Sequence, residues 1–219
     1  MSLLEFLDRG YPRRDKEALM KITVISGSHR VHSQSERVSG YIAAALAPMG
    51  VAASVVSLSN NPLPLWDEGV WGDDPKWSAV WGPISSALAE SDAFVFVTPE
   101  WAGMVPPGLK NFLLLCSTRD VGHKPALIVS ISSGVGGSYP VAELRMSSYK
   151  NNRLVYIPDH VILRDVEALF VGDSAQGERD ASARARLMYS LQLLVEYGKA
   201  LAAVRASGVI NNKEFPFGL

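Results

Sequence analysis

The sequence predicts one doubly wound α/β domain, a five-stranded parallel sheet in the order 2-1-3-4-5 with helices on both faces. Three observations carry this reading. Short apolar runs rich in β-branched residues alternate with helical patterns along the 219-residue chain. The run AFVFVT at 93–98 is apolar on both faces, as a strand in the middle of a parallel sheet must be. Strands that alternate with helices are joined by crossovers, which make them parallel neighbours.

Residues 21–26 form the first strand, and 35–49 read as a helix with Val38, Ile42, Ala45, Leu46 and Met49 on one stripe, ended by Pro48 and Gly50. Residues 51–58 are the second strand. A loop at 60–74, rich in Pro, Gly, Asn and Trp, leads to a helix at 77–90 that Pro83 starts or breaks. The third strand, 93–98, precedes a helix at 106–116, with Pro107 near the favoured first-turn position. Residues 125–131 are the fourth strand, followed by a Gly-rich turn and a helix at 141–150. The fifth strand is expected in two pieces, 154–157 and 161–163, around Pro158, and an amphipathic helix at 178–206 closes the domain. Residues 1–20 read as an N-terminal extension in which Leu3, Leu4, Phe6 and Leu7 make one short apolar helical face, 21–206 as the domain, and 207–219 as a C-terminal tail.

Composition narrows the function. Apolar residues make up 47% of the chain, which excludes wholesale disorder. With 21 basic and 22 acidic residues the net charge is −1, without the basic surplus of a duplex binder, so nucleic acid is not expected as the partner. The single cysteine, Cys116, closes an apolar run and reads as an inert core thiol; no Cys/His spacing suggests a metal site. No run approaches the length of a membrane span and no signal peptide is visible, so the chain reads as cytoplasmic.

In such a sheet ligands sit beyond the carboxyl ends of the strands, where the winding reverses. The loops after strands one, three and four converge there, and all three have unusual composition. The first reads SGSHRVHSQS (26–35): Gly27 permits a tight turn, Ser28, Ser33 and Ser35 offer hydroxyls, and Arg30 can fork onto phosphate oxygens ahead of a helix N-terminus. It is neither the dinucleotide nor the P-loop glycine pattern, which favours one terminal phosphate; an N-capping turn with spare serines is the alternative. The second, TPEWAGMVPPGLKN (98–111), offers the flat face of Trp101, room at Gly103 and stiffness from Pro106 and Pro107, which suits a flat ring; a structural turn with a core Trp is the alternative. The third, SSGVGGS (132–138), lets backbone amides reach a ligand edge, or is a plain flexible turn.

Through these three segments, in this order, the chain resembles the NADPH-dependent FMN reductase family, the flavodoxin-like group that includes azoreductases and chromate- or quinone-reducing relatives. The resemblance implies that Ser28, Arg30, Ser33, Gln34 and Ser35 hold the FMN phosphate. It implies that Pro99, Glu100, Trp101, Ala102 and Gly103 line the isoalloxazine ring, Glu100 mainly through its backbone, and that Ser133, Gly134, Gly136 and Gly137 meet the pyrimidine edge. The chain departs from the family pattern at Trp101-Ala102, where Tyr-Asn is common. The implied activity passes hydride from NADPH or NADH through bound FMN to a small acceptor: a flavin, quinone, azo compound or metal oxyanion. It requires no side-chain acid or base, and a homodimer or homotetramer is expected. An FMN-binding electron carrier and a non-enzymatic scaffold or sensor are the competing readings; near-zero charge speaks against a strongly acidic carrier.

Overall fold

A computed structural model describes residues 19–72 and 74–217. The apolar face expected at Leu3, Leu4, Phe6 and Leu7 lies outside the described residues. Five strands, β1 (Met20–Ser26), β2 (Val51–Ser57), β3 (Ala93–Pro99), β4 (Pro125–Ile131) and β5 (Val155–Leu163), form one sheet in the order β2-β1-β3-β4-β5. Every pairing is parallel. The helices are α1 (Gln34–Leu46), α2 (Pro75–Val80), α3 (Gly82–Glu90), α4 (Pro107–Leu115), α5 (Thr118–Val121), α6 (Ser138–Met146) and α7 (Glu178–Ala206).

The alternation of side chains along the strands sorts the core into two layers. Ile22 and Val24 of β1 and Val95 and Val97 of β3 face Val38, Ile42, Leu187, Leu191 and Leu194 of α1 and α7. Ile25, Phe94 and Phe96 face the opposite layer, which holds Trp77, Trp81, Leu88, Leu109 and Phe112. Both central strands β3 and β4 are buried at every position, which explains their unbroken apolar runs.

Several boundaries differ from the sequence expectation, each for a local reason. The helix expected at 77–90 is broken beside Pro83, as the sequence suggests, into α2 and α3, which meet at Trp81 and Gly82 because Pro83 cannot donate into the preceding turn; it differs in beginning at Pro75. The fifth strand is continuous: its register against β4 shifts between Ala126 and Ile128, and that irregularity absorbs Pro158. The 60–74 segment contains a short 3-10 turn, Glu68–Trp71, capped by Asp67, and is pinned by buried Asn111, which accepts from Trp66 N–H (2.8 Å) and donates to Pro64 C=O (2.7 Å). The short helix α5 carried no apolar period; Ser117 and Asp120 make its capping box. Lys124, buried, donates to the carbonyls of Leu88, Ala89 and Asp120 and so closes the C-terminal end of α3.

Candidate functional site

The order β2-β1-β3 places the winding reversal between β1 and β3, and the loops after β1, β3 and β4 meet beyond it. Gly27 leaves β1 by donating its N–H to Val97 C=O at 2.8 Å. A Cβ there would stand 2.8 Å from both that oxygen and Leu109 Cδ2, so the turn hugs β3 too closely for any other residue. Ser28 is buried, and its Oγ accepts from Arg30 N–H at 3.3 Å. Ser33 is the N-cap of α1 and accepts from Glu36 N–H at 3.2 Å. Gln34 gives its carbonyl oxygen to Arg37 Nε (2.7 Å), which leaves its amide nitrogen to donate elsewhere. Ser35 is 1% exposed, yet its Oγ has no partner among the described residues. The buried hydroxyls of Ser26, Ser39 and Ser130 likewise have no partner among the described residues; Ser35 differs in sitting in the first turn of a helix whose Gln34 and Ser35 N–H groups lie outside the helix's own bonding. Arg30 is exposed and makes no ion pair among the described residues.

The second loop is a tight hairpin. Trp101 and Met104 exchange both backbone hydrogen bonds (3.0 and 2.9 Å), and Ala102 and Gly103 take φ of 50° and 74°. Pro99 is buried, Trp101 is half-buried, and the His29 ring meets the indole edge-on, 4.7 Å between centroids. The first and second loops are therefore in contact.

The third loop is braced from two sides. Ser132 and Gly134 are bonded to the end of β5 through Ser132 N–H to Leu163 C=O (2.9 Å) and Asp165 N–H to Gly134 C=O (3.0 Å), and Arg164 Nε donates to Val135 C=O (2.7 Å). Ser133 and Gly134 are exposed, while Gly136 and Gly137 turn inward. There the Glu100 carboxylate accepts from Gly137 N–H (2.7 Å) and Tyr139 N–H (3.2 Å), tying the second loop to the N-terminus of α6. A reciprocal contact runs back: Glu143 of α6 accepts from Val105 N–H (2.7 Å) and pairs with Lys110. Burial pushes the Glu143 carboxyl up, but Lys110 and the Val105 N–H outweigh it and hold it below the usual carboxylate range.

All three segments singled out in the sequence thus lie at one end of the sheet. The side-chain roles of Glu100, Glu143, Arg164 and His29 were not anticipated. An acid placed one residue past a buried strand, opposite a glycine-rich helix start, is the signal that would have found Glu100. The tryptophans separate: Trp77 and Trp81 are core, whereas Trp66 and Trp71 pack edge-on at 5.1 Å and line a groove of about 760 Å³ between α4 and α6. Cys116 is buried, and burial raises its thiol well above the ordinary range. Among the described residues no group of three His, Cys, Asp or Glu side chains is placed to hold a metal, and no helix is long and apolar enough to cross a membrane.

Comparison with known proteins gives a consistent result. The family described as NADPH-dependent FMN reductase matches residues 20–167. A quinone reductase of Pseudomonas putida is 32% identical over 123 residues, covering 54% of this chain and 63% of that protein, so the match spans less than two thirds of the relative. An NADPH azoreductase of a Bacillus species is 26% identical over 161 residues, covering 73% of this chain and 83% of that protein. Among solved structures, the flavoenzyme NAD(P)H:(acceptor) oxidoreductase FerB of Paracoccus denitrificans superposes with a TM-score of 0.65 at 21% identity, over 83% of this chain and 98% of that one, a likeness of fold.

Proposed function

The chain belongs to the NADPH-dependent FMN reductase family, and on that premise we propose that it is an FMN-dependent NAD(P)H oxidoreductase acting on a small-molecule acceptor. The observation that carries the proposal is Ser35: a buried hydroxyl without a partner among the described residues, in the first turn of α1, in the same loop as exposed Arg30, which makes no ion pair among them. A dianionic phosphate supplies what that arrangement lacks. The donor set fits a terminal phosphate monoester: the Ser28, Ser33 and Ser35 hydroxyls, the Gln34 amide nitrogen and the Arg30 guanidinium.

Bound there, FMN would supply two-electron redox chemistry between NAD(P)H and an acceptor such as a quinone, azo compound, free flavin or metal oxyanion. The protein's part is position. The Pro99–Gly103 segment would line the flat ring, with Trp101 held by His29. Ser133, Gly134, Gly136 and Gly137 would meet the pyrimidine edge through their backbone. No side chain is assigned as acid or base. We place the whole activity in one domain, residues 21–206, with 1–20 as an extension and 207–219 as a tail, in a cytoplasmic homodimer or homotetramer. Exposed Leu114 (65%), Tyr139 (67%) and Met146 (79%) on α4 and α6 support self-association.

The test is anaerobic. NADPH or NADH added to the FMN-loaded protein bleaches the flavin absorbance, and a quinone restores it. Flavin that stays oxidised with both nucleotides would refute the reductase assignment and leave an electron carrier.

A further inference from the structure

Building on the flavin reading above, we propose that Glu100 acts through its side chain as a positioning residue: its carboxylate sets the glycine loop that meets the pyrimidine edge, and its charge tunes the ring's readiness to accept electrons. The sequence alone points to the backbone at this position. The side chain instead occupies two amides at the start of α6, Gly137 N–H at 2.7 Å and Tyr139 N–H at 3.2 Å. These are first-turn groups that α6 cannot satisfy itself. With Glu100 in place they are unavailable to a second anion, so phosphate is directed to α1.

The fit is close. A Cβ on Gly136 would stand 2.7 Å from Glu100 Oε1 and 3.2 Å from its Cδ. The carboxylate therefore lies against the loop backbone, and Gly136 is what admits it. On the other side, Glu143 holds Val105 N–H and Lys110. The hairpin is thus tied to the glycine loop and the start of α6 at one end and to the body of α6 at the other. A negative charge within this loop opposes electron gain by any ring laid along it, by direct Coulomb repulsion of the added electrons.

The consequences separate Glu100 from the phosphate loop. Glu100→Ala loosens the edge loop, so it weakens FMN and riboflavin alike, by tenfold or more, with their affinity ratio unchanged. Glu100→Gln keeps the shape and one carbonyl acceptor; it binds FMN within a few-fold of wild type but shifts the bound flavin's midpoint potential to a more positive value. A merely structural role would leave that potential unmoved. Gly136→Ala weakens both flavins about tenfold in the wild-type background and less than threefold in the Glu100→Ala background, since removal of the carboxylate makes room for the methyl. In the flavin-free protein, amide exchange at Gly137 and Tyr139 is slow in wild type and fast in Glu100→Ala.

Unchanged exchange at those two amides overturns the proposal whatever the protein binds. So does Gly136→Ala costing the same in both backgrounds, or a Glu100→Gln potential equal to wild type. A wild-type protein that binds neither flavin, with the exchange difference present, would instead strike the flavin reading and the tuning role while leaving the loop contact standing.

Discussion

Ser35→Ala gives the sharpest test of the phosphate loop, because its two expected effects have opposite signs. In the free protein Ser35 is 1% exposed and its hydroxyl has no partner among the described residues. Leaving such a group buried costs about 1–3 kcal/mol. Replacement by a methyl side chain removes the unmet donor and barely changes volume, so the apo protein should gain about 1 kcal/mol, which for a chain of this size is a rise of about 2–4 °C in Tm. In the flavin complex the same hydroxyl would donate to a charged phosphate, a bond worth about 1.5–3 kcal/mol. Loss of it weakens FMN by about 10- to 150-fold. Riboflavin, which has no phosphate, keeps its affinity. Differential scanning fluorimetry of the apo protein and fluorescence-quenching titrations with both flavins read the two effects. A variant that melts lower than wild type, or that loses FMN and riboflavin equally, would refute the assignment of Ser35.

Arg30→Ala should weaken FMN by about tenfold and leave riboflavin unchanged, since an exposed guanidinium contributes through charge alone; a quenching titration at two salt concentrations should show the gap narrowing at high salt. Ala102 holds φ of 50°, a conformation that disfavours Ala and tolerates Asn, so Ala102→Asn should raise Tm by a few degrees, about 1 kcal/mol; a lower Tm would contradict the turn geometry. Asp180 is buried, which alone would raise its carboxyl, but bonds from Phe170 N–H, Gln176 N–H and Arg184 outweigh that and hold it below the usual range. A carboxyl lowered on folding adds stability above its unfolded pKa, near 3.9, and that stability is lost as pH falls through the lower folded value. Urea unfolding from pH 7 down to pH 3 should therefore show an acid decline that Asp180→Asn flattens. Cys116, buried with a raised thiol, should resist a thiol reagent in the native protein and react fully in urea.

Most of this architecture was legible because strand burial leaves an unambiguous mark. AFVFVT can only be a central strand, and once five such runs alternate with helices the topology has few alternatives. The site loops were legible as composition: serines, arginine and glycine at the ends of those strands. What stayed hidden was contact. Nothing in P99-E-W-A shows that Glu100 reaches across to Gly137, because the partner is a backbone amide 37 residues on, presented only after β4 and the glycine turn are folded. The start of α6 at Ser138 was missed for the same reason, since its first turn is closed by that carboxylate and carries no apolar period. The continuity of β5 past Pro158 depends on register with β4, and register is a property of the pair.

The central claim is that the turn after β1 grips a phosphate. Titration of the flavin-free wild-type protein with FMN and with riboflavin, followed by fluorescence quenching, tests it most directly. Loss of two or more charge-assisted bonds predicts that riboflavin binds at least about a hundredfold more weakly than FMN. Equal affinity for the two flavins would contradict it.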